Sequence, residues 1–103
     1  GRKGGLDWQQ MLDVIGVSAA ASPYIQYNLA TLKARDFSAL FTTEQMVKDS
    51  RLICEAGVAT GVPLAIGQAM LQIFEDTIEN GYGEENLTAA IKMLESKSGL
   101  DKL

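Results

Sequence analysis

Helix boundaries punctuate this chain from one end to the other, and nothing in it alternates like a strand. Asp7 stands before Trp8, Ser22 before Pro23 and Thr42 three residues before Gln45, while Gly61 and Gly81 each follow an apolar-periodic run. Each signal has a mechanism. A Ser, Thr or Asp side chain accepts from the N–H groups that open a helix, and proline at the first helical position gives up an N–H that would lack a partner anyway. Glycine just past the end takes the left-handed conformation that other residues avoid. Runs of alternating Val, Ile, Thr or aromatic residues, which would mark strands, do not extend past four residues. The pattern predicts an all-α fold, a compact bundle of about five helices with short connections.

The first helix, capped by Asp7, carries Trp8, Met11, Leu12 and Ile15 at helical spacing and ends near Ala19–Ala21. Ser22-Pro23 opens a second, with Ile25, Leu29 and Leu32 as its apolar positions. Lys33-Ala34-Arg35-Asp36 closes it, and Asp36-Phe37-Ser38-Ala39 is a loop. Thr42 or Thr43 caps a third helix that runs to about Thr60, and Thr42 with Gln45 has capping-box spacing. Val62-Pro63 starts a fourth directly after Gly61; its apolar set is Leu64, Ile66, Met70, Ile73, Phe74 and Ile78, and Gly81 ends it. Glu84, Glu85 or Asn86 begins a fifth, which carries Leu87, Ile91 and Leu94 and ends near Ser96. The tail SKSGLDKL is expected to fray. No internal repeat or linker divides residues 1–103, so they read as a single helical domain.

Charge and composition exclude several functions. The net charge is −4 with Lys and Arg scattered, which disfavours nucleic acid and anionic membrane surfaces, both of which need clustered cations. No apolar run approaches the roughly 20 residues that span a bilayer. GRKGGLDWQQ has charge but no apolar core, so it is not a signal peptide. There is no histidine, and Cys54 is the only cysteine. That rules out an internal disulfide, a zinc site built on Cys and His, and a Ser-His or Cys-His catalytic unit within these residues. One thiol without a disulfide fits a reducing, cytoplasmic setting.

On a wheel of about 100° steps the third helix gathers Met46, Val47, Ser50, Ile53, Cys54, Gly57 and Val58 into a core stripe. Lys48 points roughly opposite, among Gln45, Leu52, Glu55 and Ala59, and Asp49 sits at the edge beside Ala56. That outer surface is small and partly apolar, suited to receive a partner. By spacing alone, Lys48 and Asp49 are ordinary solvated charges. Lys48 can pair with Glu44 and Arg51 with Glu55, each pair worth about 0.2–0.5 kcal/mol.

Other motifs carry no chemistry. Gly81-Tyr82-Gly83 starts like a dinucleotide loop but lacks the third glycine and follows a helix, so it reads as a helix stop and cap. Glu75, Asp76 and Glu79 read as a solvated face, and Cys54 as a small core residue. Tyr24, Tyr27, Phe37, Phe41, Phe74 and Tyr82 read as core or turn packing, and Trp8 as the plug of a bundle end.

Taken together, GLDWQQMLDVI (residues 5–15), ARDFSALFTTEQMVKDSRLICEAG (34–57) and GVPLAIGQAMLQIFEDTIENGYGEENLTAAIKML (61–94) resemble the C-terminal helical domain of the β-hydroxyacid dehydrogenases. This is the family of 3-hydroxyisobutyrate dehydrogenase, tartronate semialdehyde reductase and glyoxylate/succinic semialdehyde reductase, with a domain like the C-terminal one of 6-phosphogluconate dehydrogenase. The resemblance rests on order and spacing: Asp36-Phe37-Ser38 then Phe41, Lys48-Asp49 with Arg51-Leu52, Gly61-Val62-Pro63-Leu64, and Gly81-Tyr82-Gly83 before an acidic helix start.

The resemblance implies a two-domain oxidoreductase for a small hydroxyacid or its semialdehyde. Its own Rossmann domain would bind most of NAD or NADP, and a catalytic lysine would lie on a helix preceding residue 1. It further implies that Lys48 reaches the cofactor near its nicotinamide end and that Phe41 and Asp49 belong to the active-site cleft. Residues 1–103 alone are then expected to be inactive, to bind NAD(P)H only weakly and to self-associate, as members of the family form homo-oligomers. Ser50, where a larger apolar residue is common, and Leu40 before Phe41, where glycine is common, leave the substrate subclass open. Two other readings stay open: a non-catalytic helical interaction module, and an imine-reductase-type member of the same superfamily.

Overall fold

The structure is a computed structural model and describes residues 1–100. Helix accounts for 72% of it and no strand forms among the described residues, so the all-α expectation holds. After a short 3₁₀ turn, Arg2–Gly4, come α1 (Trp8–Val17), α2 (Pro23–Ala34), α3 (Thr43–Thr60) and α4 (Ala65–Thr77). A π turn, Ile78–Tyr82, and a 3₁₀ turn, Leu87–Ala89, lead into α5 (Ala90–Lys97).

Most boundaries follow from the expected caps. Asp7 accepts from Gln10 N–H at α1, Ser22 accepts from Ile25 N–H with Pro23 at the first position of α2, and Thr42 and Gln45 form a complete capping box at α3. Gly61 ends α3 at φ 72° and Gly81 leaves helical geometry at φ 92°.

Several boundaries differ from the sequence reading. α1 stops at Val17 rather than near Ala19–Ala21, because Ser18 turns extended and its hydroxyl donates back to Ile15 O. The fourth helix begins at Ala65, not at Val62-Pro63: Val62 N–H donates to Gly57 O at 2.9 Å and so completes the close of α3 first. The fifth element opens as a 3₁₀ turn after Asn86. Ser98 N–H donates to Leu94 O, and Leu100 N–H to Glu95 O at 3.0 Å, so the tail is held as far as Leu100. The rest of the tail expected to fray, residues 101–103, lies outside the described residues.

Two subassemblies result. α1 packs on α2, while α3 packs on α4 and α4 on α5. The radius of gyration is 14.9 Å, against about 13 Å for a compact chain of this length. The α1–α2 hairpin therefore stands off from the α3–α5 body. Leu12, Phe37, Val47, Phe74, Ala89 and Met93 form the buried apolar set.

A cationic and aromatic ladder joins the two halves. The Arg35 guanidinium lies 5.0 Å from the Trp8 ring and 5.5 Å from Phe37; Lys92 lies 4.9 Å from Phe37 and 4.5 Å from Tyr82. Arg35 also donates twice to the buried Glu95 carboxylate, at 2.9 and 3.0 Å, and Arg2 pairs with the same carboxylate. Arg35 is the only non-glycine residue with positive φ among the described residues (51°), a conformation that costs about 1–2 kcal/mol. The guanidinium contacts offset that strain. Trp8, expected to plug a bundle end, stands half-buried at this junction instead, and its Nε1–H donates to Leu32 O at 2.9 Å.

Candidate functional site

α3 is the scaffold of the candidate site. Its capping box fixes where the helix starts, and Thr43, Val47, Ser50 and Gly57 fix its rotation by being buried. Ile53 and Val58, expected in the core stripe, are exposed instead, and Cys54 is half-buried. α4 covers one side of α3 and leaves the edges of the stripe bare. Gly57 lets Leu64, just ahead of α4, come close: a Cβ at Gly57 would fall 2.6 Å from Leu64 Cδ1.

Lys48 and Asp49 both face outward and are exposed. The side chain of neither has a hydrogen-bond or ion-pair partner among the described residues. The expected Lys48–Glu44 pair is not formed. Arg51 bypasses Glu55 and binds Glu75 of α4 at 3.0 Å. Glu75 and Asp76 are therefore tied in place, Asp76 by Lys97 at 2.7 Å, and do not form a free solvated face.

Lys48 lines an open groove of about 460 Å³ with Glu44, Arg51, Leu52, Glu55 and Ile78. Val47, Leu52 and Ile78 supply its apolar lining, its one unpaired cation is Lys48, and Glu44 and Glu55 stand beside it. Such a groove suits an uncharged polar ligand group far better than a phosphate, which Glu44 and Glu55 would repel.

Phe41 lies elsewhere. It lines a second cavity of about 640 Å³ between the two halves, together with Tyr24, Tyr27, Asn28, Met70 and Phe74 among others. Asn86 sets its position: Oδ1 accepts from Leu40 N–H at 3.3 Å and from Phe41 N–H at 3.1 Å, and Leu87 N–H donates to Phe41 O at 2.9 Å. Thr43 N–H donates to Glu85 O at 2.9 Å and extends the same clamp. Phe41 and Lys48 thus stand at two different cavities, and Asp49 lines neither.

The aromatics Tyr24 and Tyr27 are exposed at the wall of the larger cavity rather than packed in a core or turn. Asn28, one turn on from Tyr24, is buried, and its Nδ2 donates to Tyr24 O at 2.8 Å. The sequence reading passed over Asn28 and gave Asn86 only as a possible helix start. The available signal for Asn28 was a polar residue at i+4 from an aromatic on α2.

Comparison with known proteins agrees with this architecture. Residues 1–94 match the family model described as NAD-binding of NADP-dependent 3-hydroxyisobutyrate dehydrogenase. The chain is 33% identical over 101 residues to a 2-(hydroxymethyl)glutarate dehydrogenase of Eubacterium barkeri, covering 97% of this chain and 34% of that protein. The crystal structure of a 3-hydroxyisobutyrate dehydrogenase from Salmonella typhimurium superposes with a TM-score of 0.83 at 25% identity, over 89% of this chain and 32% of that one. The chain spans about a third of the length of these relatives. By the match over residues 1–94, the chain belongs to the NAD-binding family of NADP-dependent 3-hydroxyisobutyrate dehydrogenase.

Proposed function

We propose that the chain is the helical C-terminal domain of an NAD(P)-dependent oxidoreductase acting on a small β-hydroxyacid or its semialdehyde. It would work with a Rossmann domain of the same polypeptide and contribute to substrate binding and self-association. The family match supports the oxidoreductase class. The observation that carries the site is Lys48: an exposed cation without a partner, above apolar ground and between two carboxylates. A lysine held this way has nothing to stabilise inside its own domain.

In this reading Lys48 Nζ donates to a hydroxyl or amide oxygen near the nicotinamide end of the cofactor. The bound cofactor supplies or accepts the hydride. Glu44 and Glu55 keep phosphate out of the groove and so favour one orientation. Asp49 orients Lys48 or a polar group of the substrate, and Phe41 excludes water on the substrate side, which favours hydride transfer. Residues 1–103 by themselves hold no acid/base assigned to the reaction, so they are expected to be inactive and to bind NAD(P)H no tighter than micromolar.

The test is Lys48→Ala in the full-length gene product. A charge-assisted hydrogen bond is worth about 1.5–3 kcal/mol, so the NAD(P)H Kd should rise by about tenfold or more. The melting temperature should not move, because Lys48 has no intradomain partner to lose. Cofactor affinity and hydride transfer equal to those of the parent protein would sink the assignment.

A further inference from the structure

Gly83 has no backbone reason to be glycine. Its φ of −61° and ψ of −36° are ordinary right-handed values open to any residue, unlike the positive φ of Gly81 two residues earlier. What stands where a side chain would go is Glu44. A Cβ on Gly83 would lie 2.9 Å from Glu44 Oε1, 3.2 Å from its Cγ and 3.4 Å from its Cδ, and these are its three nearest neighbours. The backbones are joined as well: Glu44 N–H, in the first turn of α3, donates to Gly83 O at 3.1 Å. The Glu44 carboxylate therefore lies folded against the bare Cα of a buried glycine.

That placement bears on Lys48. Of the residues one turn from Lys48 along α3, which are Glu44, Gln45, Arg51 and Leu52, Glu44 alone is anionic. A Glu four residues ahead of a Lys is the better orientation for a helical ion pair. Both side chains are exposed and both line the same groove, yet no pair forms between them.

We infer that Gly83 is a positioning residue for Lys48: lacking a side chain, it gives the Glu44 carboxylate a place to lie and so keeps the Lys48 ammonium unpaired toward the groove. A methyl group on Gly83 displaces that carboxylate, whose side chain is flexible and exposed, and the cation one turn on is Lys48. Lys48 would then meet a ligand already engaged, and each ligand contact would have to displace Glu44 first. The consequence for the cofactor rests on the role proposed for Lys48; the contact between Gly83 and Glu44 does not.

The first readout is the rate at which acetic anhydride labels Lys48 in the 103-residue chain, followed by peptide mass spectrometry. An amine held by a carboxylate reacts more slowly. Gly83→Ala should slow Lys48 labelling by about twofold, the weight of one exposed pair of this spacing. Adding Glu44→Gln should return the rate to that of Glu44→Gln alone, a rescue that a purely structural role for Gly83 would not show. The second readout is the NAD(P)H Kd of the full-length gene product. Gly83→Ala should raise it by about twofold, again reversed to the Glu44→Gln value in the double variant. Unchanged labelling in Gly83→Ala, a slowing that Glu44→Gln leaves in place, or a Gly83→Ala chain that does not fold because Glu44 cannot give way would each overturn the inference. Slowed and rescued labelling, with a Kd that neither Gly83→Ala nor Lys48→Ala alters, would support the placement of Glu44 and sink the cofactor role of Lys48, so the two failures are distinguishable.

Discussion

The side chain of Asn86 holds the backbone of Phe41, 45 residues away in sequence, with Oδ1 accepting the Phe41 N–H at 3.1 Å. The same oxygen takes Leu40 N–H, so one amide fixes the approach of the chain to α3. Asn86→Ala leaves both donors without that acceptor in a site where Asn86 is buried. It should cost about 2 kcal/mol, or about 10 °C in Tm. Asn86→Asp keeps an acceptor toward both and should lose less. A melting curve of Asn86→Ala within a degree or two of the parent would refute this role.

Glu95 should be the most sensitive charged residue. It is buried and receives Arg35 twice and Arg2 besides. Removing one partner of a buried ion pair typically costs about 3–5 kcal/mol; with these side chains 10–17% exposed, about 2–3 kcal/mol is expected for Glu95→Ala. Arg35→Gly relieves the left-handed strain and still should lose stability, since it removes the ion pair and the stacking on Trp8 and Phe37. Urea unfolding of the two single variants and the double variant gives the coupling; additive losses would show that the pair contributes nothing.

Gly57 should resist even alanine. Its Cβ would stand 2.9 Å from Leu64 Cγ and 3.0 Å from the Val62 carbonyl oxygen, and the second of these is backbone. Overpacking of this kind costs about 1–3 kcal/mol, of which better helix propensity returns about 1. Chemical denaturation should place Gly57→Ala about 1 kcal/mol below the parent, and a stabilised variant would mean that Leu64 moves aside freely.

Two carboxylates shape the acid limb of stability. The Ser38 hydroxyl, and then its backbone N–H, hold Asp36 below the usual carboxylate range; Lys97, and then Gln72, do the same for Asp76. Their contribution is complete above the unfolded value of 3.8 and disappears as pH falls through the lower folded values. Neither adds any pH dependence between neutrality and pH 5. Melting temperature against pH should be flat there and drop below about pH 4, less steeply in Asp76→Asn. An equally steep acid limb in that variant would remove Asp76 from the account.

The start of each of the first three helices was legible because its cause is local. Asp7, Ser22-Pro23 and the Thr42–Gln45 box act within a single turn, and a turn is short enough to read from sequence. The degree of burial was not. Ile53 and Val58 lie on the stripe that periodicity assigns to the core, yet only a neighbouring helix decides how much of a stripe is covered. The same holds at the candidate site. That Lys48 points away from the core follows from its spacing to Val47 and Ser50. That Phe41 lies at a separate cavity follows from Asn86, 45 residues away, and from how α2 packs, which spacing along α3 does not show. Asn28 escaped notice, and Asn86 was read only as a possible helix start, because a buried amide is recognised by its partners, and these are mostly backbone groups that no pattern marks.

The ladder that joins the two halves also gives the protein an optical signal of its own. Trp8 is the only tryptophan, and its ring touches both ends of the junction: the indole N–H on Leu32 O in α2, the ring face on the guanidinium that reaches Glu95 in α5. Separation of the α1–α2 hairpin from the body would hydrate that ring while every helix stayed intact. Emission would then shift to the red before circular dichroism changed, and the gap between the two signals would measure how independently the halves move.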